Sequence, residues 1–425
     1  MTDFQTGVLT LVRYALSPEE HFPSLPDGFS YDALLKFAEL QQVSPLLYYG
    51  ACKTDSFLES DELLSFTALA TAIMSHSTRQ LANFDKLTAC FEKAGIDYMP
   101  LKGSVLKRLY PQPEMRVMGD CDILIRSEQL DQARDLMKEQ NYTLEEVTDH
   151  CYEYKNPEKM AVELHVKLLP DGEIDLEPYY RDGWWTARPV GQPACRYEMR
   201  PEDHYVFQFA HFVKHFRGFG AGIKFVIDSR VFEQAYPDMD MKYVRGELVK
   251  LGLDEFYDNI QRTISVWFDG APSDEMTDYL TERLFNTTVF GVKERGLVSE
   301  AYNRSKIEQA NGKTGSDAAH RRSKWFELFF LPYSAMKKKY PVLEKWAILL
   351  PIFWIVRGFD ILFFRRNRIG EVNADMEQIS RESIEAYRKE MNYVGLDKAI
   401  QTGGTAETKE KKEKKKEKKK SKGKA

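Results

Sequence analysis

The sequence lacks the cysteine patterns that mark disulfide-rich or zinc-stabilised proteins. Its 425 residues include only five cysteines, at positions 52, 90, 121, 151 and 195, and no two of them form a CxxC pair. An odd number of scattered cysteines is typical of proteins from a reducing compartment. We therefore expect no structural zinc site, and we predict a cytoplasmic protein that is at most peripheral to a membrane.

Long hydrophobic runs are also absent. The longest unbroken apolar run, Trp346 to Val356, has eleven residues and includes Pro351, whereas a bilayer span needs about 20. The start of the chain, Met1-Thr-Asp-Phe, has neither the basic segment nor the apolar core of a signal peptide. We therefore predict no transmembrane segment and no signal peptide.

Positive charge is scarce outside the C-terminus. The net charge is −5, but residues 401–425 hold 11 Lys and 4 Glu, which leaves −12 on residues 1–400. An acidic body disfavours a broad nucleic-acid surface. The Lys-rich tail has almost nothing apolar to bury, so we predict that it is disordered. Weak attraction of this tail to an anionic membrane surface stays open.

What the sequence does contain is a glycine turn followed by paired carboxylates, in the stretch Leu101 to Ile125. Lys102-Gly103-Ser104 follows a short apolar run and predicts a strand, a tight turn and the start of a helix. Asp120 and Asp122 open the next strand, and residues i and i+2 of a strand point to the same face. Backbone N–H groups opposite two carboxylates suit a phosphate chain and a divalent metal.

A further carboxylate lies on a later predicted strand, Met160 to Leu169. Glu163 and His165 share one face of this strand, whereas the alternate positions are apolar. We take Glu163 as the third acid because it would converge with the aspartates from a second strand. Glu173 and Asp175, in the following loop, are the weaker alternatives.

With these residues in this order, the sequence resembles the polymerase-β-like nucleotidyltransferase superfamily, and most closely its branch of uncharacterised nucleotidyltransferases. That branch shows an LKG turn, an Arg shortly before an Asp-x-Asp pair, and a later Asp/Glu-Leu-His. The corresponding residues here are Leu101-Lys102-Gly103, Arg116, Asp120-Cys121-Asp122 and Glu163-Leu164-His165. The motif core covers Tyr98 to Val166, and a looser likeness runs from about residue 30 to about residue 395.

The resemblance implies transfer of a nucleoside monophosphate from an NTP to a hydroxyl or phosphate acceptor, dependent on Mg²⁺ or Mn²⁺. It implies that the catalytic and metal-binding residues are Asp120, Asp122 and Glu163. The residues predicted to contact the nucleotide are Lys102, Gly103, Ser104, Arg116 and His165. The sequence does not identify the acceptor, but the acidic body favours a small molecule, a sugar phosphate or a protein over RNA.

Each of these residues has a simpler interpretation. The aspartates could be turn residues at a strand end, Glu163 a solvated strand residue, and Lys102 an ordinary turn residue. Arg116 could form an ion pair with Asp120. At the level of function, two alternatives stay open. One is a non-catalytic nucleotide-binding or interaction protein on the same scaffold, including one that associates with a membrane surface. The other is a nucleotide-sensing regulator.

Two further motifs are discounted. His211 and His215, at i and i+4, resemble a metal pair, but the Glu of a zincin motif is missing between them. We interpret them as part of a packed helix face or of an active-site wall, and His204 falls near the same face. Gly218 to Gly222 mimics a nucleotide-binding loop but follows no predicted strand.

The predicted fold class is α+β, with a small mixed β-sheet of nucleotidyltransferase type between N-terminal and C-terminal helical segments. A connecting loop is predicted over residues 170–200, and Ile223 to Asp228 is predicted to end a structural element. For Trp346 to Phe364 we favour a packed helical pair over a membrane-surface segment. The predicted regions are an N-terminal helical segment (1–94), a catalytic core (95–200), a helical domain (201–310), an aromatic-rich helical region (311–400) and the tail (401–425).

Overall fold

The computed structural model describes residues 1–17, 24–170, 176–191, 195–288, 293–310, 342–359 and 380–397, with positions 330, 331, 333, 336 and 340. The Lys-rich tail and the start of the predicted aromatic-rich region, residues 311–329, lie outside these residues. The chain divides into two compact units. The first comprises residues 1–214, 221–289 and 394 onward, and the second comprises 215–220 and 290–393.

A seven-stranded mixed sheet forms the centre of the first unit, in the order β3-β4-β5-β2-β1-β7-β6. Strand β2 pairs antiparallel with β1 and parallel with β5, and β1 pairs parallel with β7. The strands are β1 Tyr98–Pro100, β2 Asp120–Ile125, β3 Thr143–Val147, β4 Cys151–Lys155, β5 Ala161–His165, β6 Ala187–Val190 and β7 Arg196–Met199.

Helices make up most of the remaining described structure, which confirms the predicted α+β fold with a mixed sheet between helical segments. Before the sheet the helices are α1 Asp3–Leu16, α2 Tyr31–Leu40, α3 Ser44–Ala51, α4 Asp55–Leu58 and α5 Leu63–Ala94. Between and after the strands they are α6 Gly103–Leu106, α7 Leu130–Glu139, α8 Glu177–Tyr180, α9 Pro201–Arg217, α10 Lys224–Ala235, α11 Met241–Lys250, α12 Asp254–Phe268 and α13 Glu275–Phe285. The remaining helices are α14 Lys293–Ala310, α15 Val342–Lys345, α16 Leu350–Phe359 and α17 Arg381–Tyr393.

Helix α5 leads directly into the first strand. It ends at Gly95, whose left-handed backbone (φ +69°) is the conformation that glycine adopts most readily at a helix C-terminus. The apolar face of α5 then packs on the sheet through Phe84, Leu87 and Phe91. This connection fixes the position of β1 and of the glycine turn that follows it.

One face of the sheet forms the core. Alternate residues of β2 and β5, including Ile123 and Leu164, pack against α5 and against Leu136 of α7. Burial of each such aliphatic side chain stabilises the fold by about 1.5–3 kcal/mol. Because side chains alternate along a strand, the residues between them project from the opposite face.

Residues 170–200 differ from the predicted loop. Their described part contains helix α8 and the β6–β7 hairpin, which extends the sheet beyond β1. The Pro and Gly content of this region concealed the hairpin, yet Pro189 is compatible with β6 because that strand lies at the sheet edge. Contacts distant in sequence hold the hairpin, including Arg126 over the Tyr197 ring of β7 at 5.4 Å.

Two element boundaries also differ from the prediction. Strand β5 covers five residues, whereas the sequence predicts a strand from Met160 to Leu169. Lys224 begins helix α10, so Ile223 to Asp228 starts an element where the sequence predicts an end. In both cases the apolar pattern identified the buried stretch but not where the backbone changes conformation.

In the second unit, helices α14 and α17 pack side by side. Arg295 forms an ion pair with Glu390 at 2.6 Å, and the rings of Tyr302 and Tyr387 lie 5.2 Å apart. Among the described residues, no helix is long and apolar enough to cross a membrane.

Candidate active site

The face of the sheet opposite the core carries a cluster of polar side chains. Strands β2 and β5 are adjacent and parallel, and their register pairs Asp122 with Glu163 and Leu124 with His165. Ligand atoms of Asp122, Glu163 and His165 all lie within 4.8 Å of one another. The predicted alternation thus brings two of the three proposed acids and the proposed histidine together.

His165 lies between the two carboxylates. Its Nε2 atom is 2.9 Å from Asp122 Oδ1 and 3.0 Å from Glu163 Oε2. Burial opposes a charge on this ring, which is 1% exposed, but the hydrogen bonds to both carboxylates outweigh burial and raise its pKa. His165 therefore links the two acids through one ring nitrogen.

Lys102 reaches the same cluster from the glycine turn. Its Nζ donates to Asp122 Oδ1 at 2.6 Å. Its backbone φ is +46°, a conformation that side-chain-bearing residues rarely adopt and that costs of order 1–3 kcal/mol. Burial opposes ionisation of Asp122, but the charge of Lys102 and the hydrogen bond from His165 hold the pKa of Asp122 well below its usual range. Lys102 is therefore more than an ordinary turn residue.

Asp120 lies on the same face, two residues before Asp122, and is partly exposed. Its carboxylate does not belong to the group of converging ligand atoms found among the described residues. The negative charge of Asp122, together with burial and the charge of Glu163, raises the pKa of Asp120 to about 7. Such repulsion is what a divalent cation would relieve.

The Arg116 guanidinium packs against the backbone of Gly103. A Cβ atom at Gly103 would lie 2.7 Å from Met118 Sδ and 2.9 Å from Arg116 Nη1, so the close approach of the guanidinium requires glycine. Arg116 donates from Nε and Nη2 to the two carboxylate oxygens of Asp228, both at 3.0 Å. The alternative interpretation, an ion pair between Arg116 and Asp120, was wrong.

Ser104 is buried in the first turn of α6. Its backbone N–H donates to the Leu101 carbonyl at 3.1 Å, which removes one of the amides expected to face a phosphate. Among the residues that the structure describes, neither its Oγ atom nor Nδ1 of His165 has a hydrogen-bond partner. An unpartnered buried polar group costs about 1–3 kcal/mol, and a functional role is one common explanation for it.

Three residues near the Arg116 guanidinium were not predicted from the sequence: Asp228, Tyr110 and Lys224. Asp228 anchors the guanidinium and also accepts a hydrogen bond from the Tyr110 hydroxyl at 2.7 Å. Lys224, one helical turn before Asp228, is buried. Burial and the neighbouring charge of Arg116 lower its pKa to about 8, although Asp228 and Asp120 act in the opposite direction. The available signal was a Lys and an Asp at i and i+4 within an apolar stretch.

Glu153 on β4 is a further missed acid. It lies directly across from Glu163 in the antiparallel β4–β5 pair. Ligand atoms of Glu153, Glu163 and the Cys151 thiol lie within 4.8 Å of one another. Burial raises the pKa of that thiol to about 11, so it is protonated at neutral pH. Since metal ligation needs a thiolate, this second group is the weaker metal candidate.

Other sequence candidates lie elsewhere or outside the described residues. Glu173 and Asp175 fall in the part of the chain that is not described. His204 is buried on α9 beside the Phe232 ring, at 5.4 Å, and burial lowers its pKa to about 4. The segment 218–222 connects helix α9 to α10 and follows no strand. None of the metal-capable groups among the described residues includes His204, His211 or His215.

The residues present fit a divalent metal. The carboxylate oxygens are the ligands that Mg²⁺ prefers. The same oxygens together with one imidazole nitrogen suit Mn²⁺. They converge from two strands, and Lys102 lies beside them on the glycine turn. An arrangement of this kind can hold a metal and a phosphate chain next to each other.

Comparison with known proteins agrees with this geometry. No curated protein and no solved structure gave a significant match. A family model described as an uncharacterised nucleotidyltransferase matches residues 27–269, more than half of the chain. That match spans helices α2 to α12 and the entire sheet, including the glycine turn, the three acids and Lys224. The chain therefore belongs to the family of uncharacterised nucleotidyltransferases.

Proposed function

We propose that this protein transfers a nucleoside monophosphate from an NTP to a hydroxyl or phosphate acceptor, with Mg²⁺ or Mn²⁺ as cofactor. The observation that carries the proposal is the convergence of Asp122, Glu163 and His165 within 4.8 Å beside the Lys102 turn. Family membership supports the same reaction class.

Asp120, Asp122 and Glu163 are the proposed catalytic and metal-binding residues. Bound there, the cation would neutralise charge on the triphosphate and on the attacking oxygen. Glu163 is the partly exposed member of the converging group, with its side chain 19% exposed. We therefore assign it the second role of accepting the proton of the acceptor hydroxyl. His165 would position Asp122 and Glu163 through its two hydrogen bonds.

The nucleotide would lie along the glycine turn. Lys102 supplies a point charge there, and the Arg116 guanidinium, held against Gly103 by Asp228, supplies a second cation for phosphate oxygens. The unpartnered Ser104 hydroxyl is a third candidate contact. To these predicted residues we add Lys224, a buried amine whose charge is close enough to interact with Arg116 and Asp120.

The acceptor class is proposed on charge alone. Residues 1–400 carry a net charge of −12, which disfavours long-range attraction of RNA. We therefore favour a small molecule, a sugar phosphate or a protein. The five unpaired cysteines fit action in the cytoplasm.

The test is a transfer assay with four α-labelled NTPs, Mg²⁺ or Mn²⁺, and a cell extract as the source of acceptor. Label should move to one fraction of the extract with wild-type protein and not with the Asp120→Asn/Asp122→Asn variant. Asp131→Asn, which removes an exposed carboxylate from α7, is the matched control and should behave as wild type.

Each other outcome has a defined meaning. Saturable NTP binding that requires both aspartates, without transfer to any fraction, would replace catalysis by nucleotide sensing. Absence of NTP binding would leave a non-catalytic scaffold. Label in the RNA fraction would preserve the reaction class but overturn the acceptor argument.

A further inference from the structure

The second unit exposes an apolar surface that water does not favour. Helix α16 and the short turn before it leave large side chains exposed, among them Ile348 at 83%, Ile355 at 61% and Phe359 at 59%. The exposed apolar residues of the helix, at 352, 355, 356 and 359, follow the i, i+3, i+4, i+7 spacing of one helical face. We call this surface, Trp346 to Phe359, the apolar face.

The polarity of α16 is the reverse of that of a water-facing helix. Its one charged residue, Arg357, is 4% exposed, whereas isoleucines point outward. The inward side is held by specific contacts: the Trp354 indole donates to the Leu331 carbonyl at 2.8 Å, and Phe353 lies 4.7 Å from the Tyr340 ring. These contacts fix which side of the helix is exposed. The predicted packed helical pair therefore does not account for the apolar face.

The flanking sequence is strongly basic. Between residues 337 and 368, the sequence outside α16 has seven Lys and Arg against one Glu and one Asp. Protein–protein interfaces are depleted in Lys, whereas Lys and Arg beside an apolar helix face are typical of segments that bind anionic lipid. Trp346, at one end of the face, is a residue type enriched where the headgroups meet the acyl chains.

We propose that the apolar face docks on an anionic lipid bilayer. Ten residues of α16 span about 15 Å, half the thickness of a bilayer core, so the helix lies in the interface and does not cross it. The isoleucines and Phe359 enter the acyl boundary, and the basic residues that flank the face in sequence favour an anionic surface over a neutral one. This proposal is independent of the transfer reaction.

The test is co-sedimentation of the full-length protein with vesicles of phosphatidylcholine, with and without phosphatidylglycerol, across a salt series. Wild-type protein should bind the anionic vesicles and release as salt rises. Ile352→Gln/Ile355→Gln should bind at least roughly tenfold more weakly, because polar side chains replace both isoleucines at the acyl boundary. Both positions are exposed, so the fold should be unaffected; equal melting temperatures check this.

Leu40→Gln/Leu64→Gln is the matched control, because both residues are exposed leucines of the first unit; it should bind as wild type. Wild-type protein that fails to sediment with anionic vesicles, or an isoleucine variant that binds equally well, would overturn the proposal. A wild-type mass twice that of the isoleucine variant without lipid would also overturn it, since a second copy would then cover the apolar face.

A second readout locates the face in the bilayer. Brominated phospholipids quench tryptophan emission only at close range, so they should quench wild-type emission. Trp346→Phe should reduce the quenched fraction while binding persists. An unchanged quenched fraction would remove Trp346 from the bilayer and contradict the proposed orientation.

Discussion

The two faces of the central sheet are built from the same two strands and differ in every physical respect. Cys121, Ile123 and Leu164 face α5 and α7 and are fully buried among apolar side chains. Asp122 and Glu163, each one residue away, lie on the opposite face, where His165 bridges them. The period-2 alternation of a strand is enough to separate a dry core from an ionised site.

This difference separates stability from chemistry. Apolar burial on the core face stabilises the fold. On the site face, the charge of Asp122, together with burial and the charge of Glu163, raises the pKa of Asp120 to about 7, as expected where carboxylates repel one another. Substitutions on the core face should therefore lower the free energy of unfolding, and substitutions on the site face should chiefly lower turnover.

Asp122→Asn should have the largest effect. It removes the carboxylate that Lys102 and His165 both contact, so we expect transfer to fall by roughly 10³-fold and divalent-metal binding to be lost. Unlike neutralisation of Asp120, this change also leaves the Lys102 ammonium without its partner, and it should lower the melting temperature. Mn²⁺ titration followed by electron paramagnetic resonance measures binding independently of the acceptor. Wild-type Mn²⁺ affinity in this variant would remove Asp122 from the metal site.

Leu164→Ala, on the opposite face, should reverse the pattern. Truncating this fully buried side chain should lower the free energy of unfolding by about 3 kcal/mol. Transfer per folded molecule should stay near wild type, because the neighbouring Glu163 and His165 project away from the cavity. Urea unfolding and the labelled-NTP assay measure the two quantities. Leu64→Ala, at an exposed position, should change stability by less than about 0.5 kcal/mol. A large loss of turnover in folded Leu164→Ala would show that the faces are coupled.

Much of this contrast could be predicted from the sequence. Alternation placed Asp120 and Asp122 on one face of β2 and Glu163 with His165 on one face of β5, and the family resemblance identified the turn at Lys102. These are local patterns, since each depends on residues a few positions apart.

What the sequence did not reveal depends on contacts between distant residues. Asp228 pairs with Arg116 across 112 positions, and the local pattern of a Lys and an Asp within an apolar stretch does not identify that partner. The β6–β7 hairpin has a loop-like composition and is ordered by its pairing with β1. For α16, hydrophobicity favoured a packed helix, because composition alone cannot tell which side faces outward.

Glu163→Gln should have the next largest effect. Loss of a general base or metal ligand should lower turnover by roughly 10²-fold, with NTP binding less affected because the phosphate contacts remain. Single-turnover transfer and equilibrium NTP binding separate these effects. Glu153→Gln, directly across the β4–β5 pair, is the matched control. If Glu153→Gln is inactive and Glu163→Gln is not, the third acid lies on β4.

Asp120→Asn tests the repulsion on the site face through pH. The folded-state pKa of Asp120, about 7, exceeds its ordinary value of 3.8, so the folded protein holds this proton more tightly than the unfolded chain does. Without metal, the contribution of Asp120 to stability is therefore full below pH 4 and is lost as pH rises through 7. In EDTA at pH 8, Asp120→Asn should be more stable than wild type by roughly 2–4 kcal/mol, with little difference at pH 4. A pH-independent difference would show that the carboxylates do not interact.

Removal of residues 402–425 should have the smallest effect, because neither face of the sheet needs them. Eleven Lys and four Glu in residues 401–425 offer almost nothing apolar to a core. The melting temperature and the labelled-NTP transfer rate should therefore match wild type. If the tail acts on the acidic body, it does so through long-range attraction, which salt screens over a Debye length of about 8 Å at physiological ionic strength. We expect no such attraction to matter, so truncated and full-length proteins should agree at every salt concentration in both measurements. A drop in melting temperature at low salt alone would show that the tail neutralises part of the body's charge and stabilises the fold.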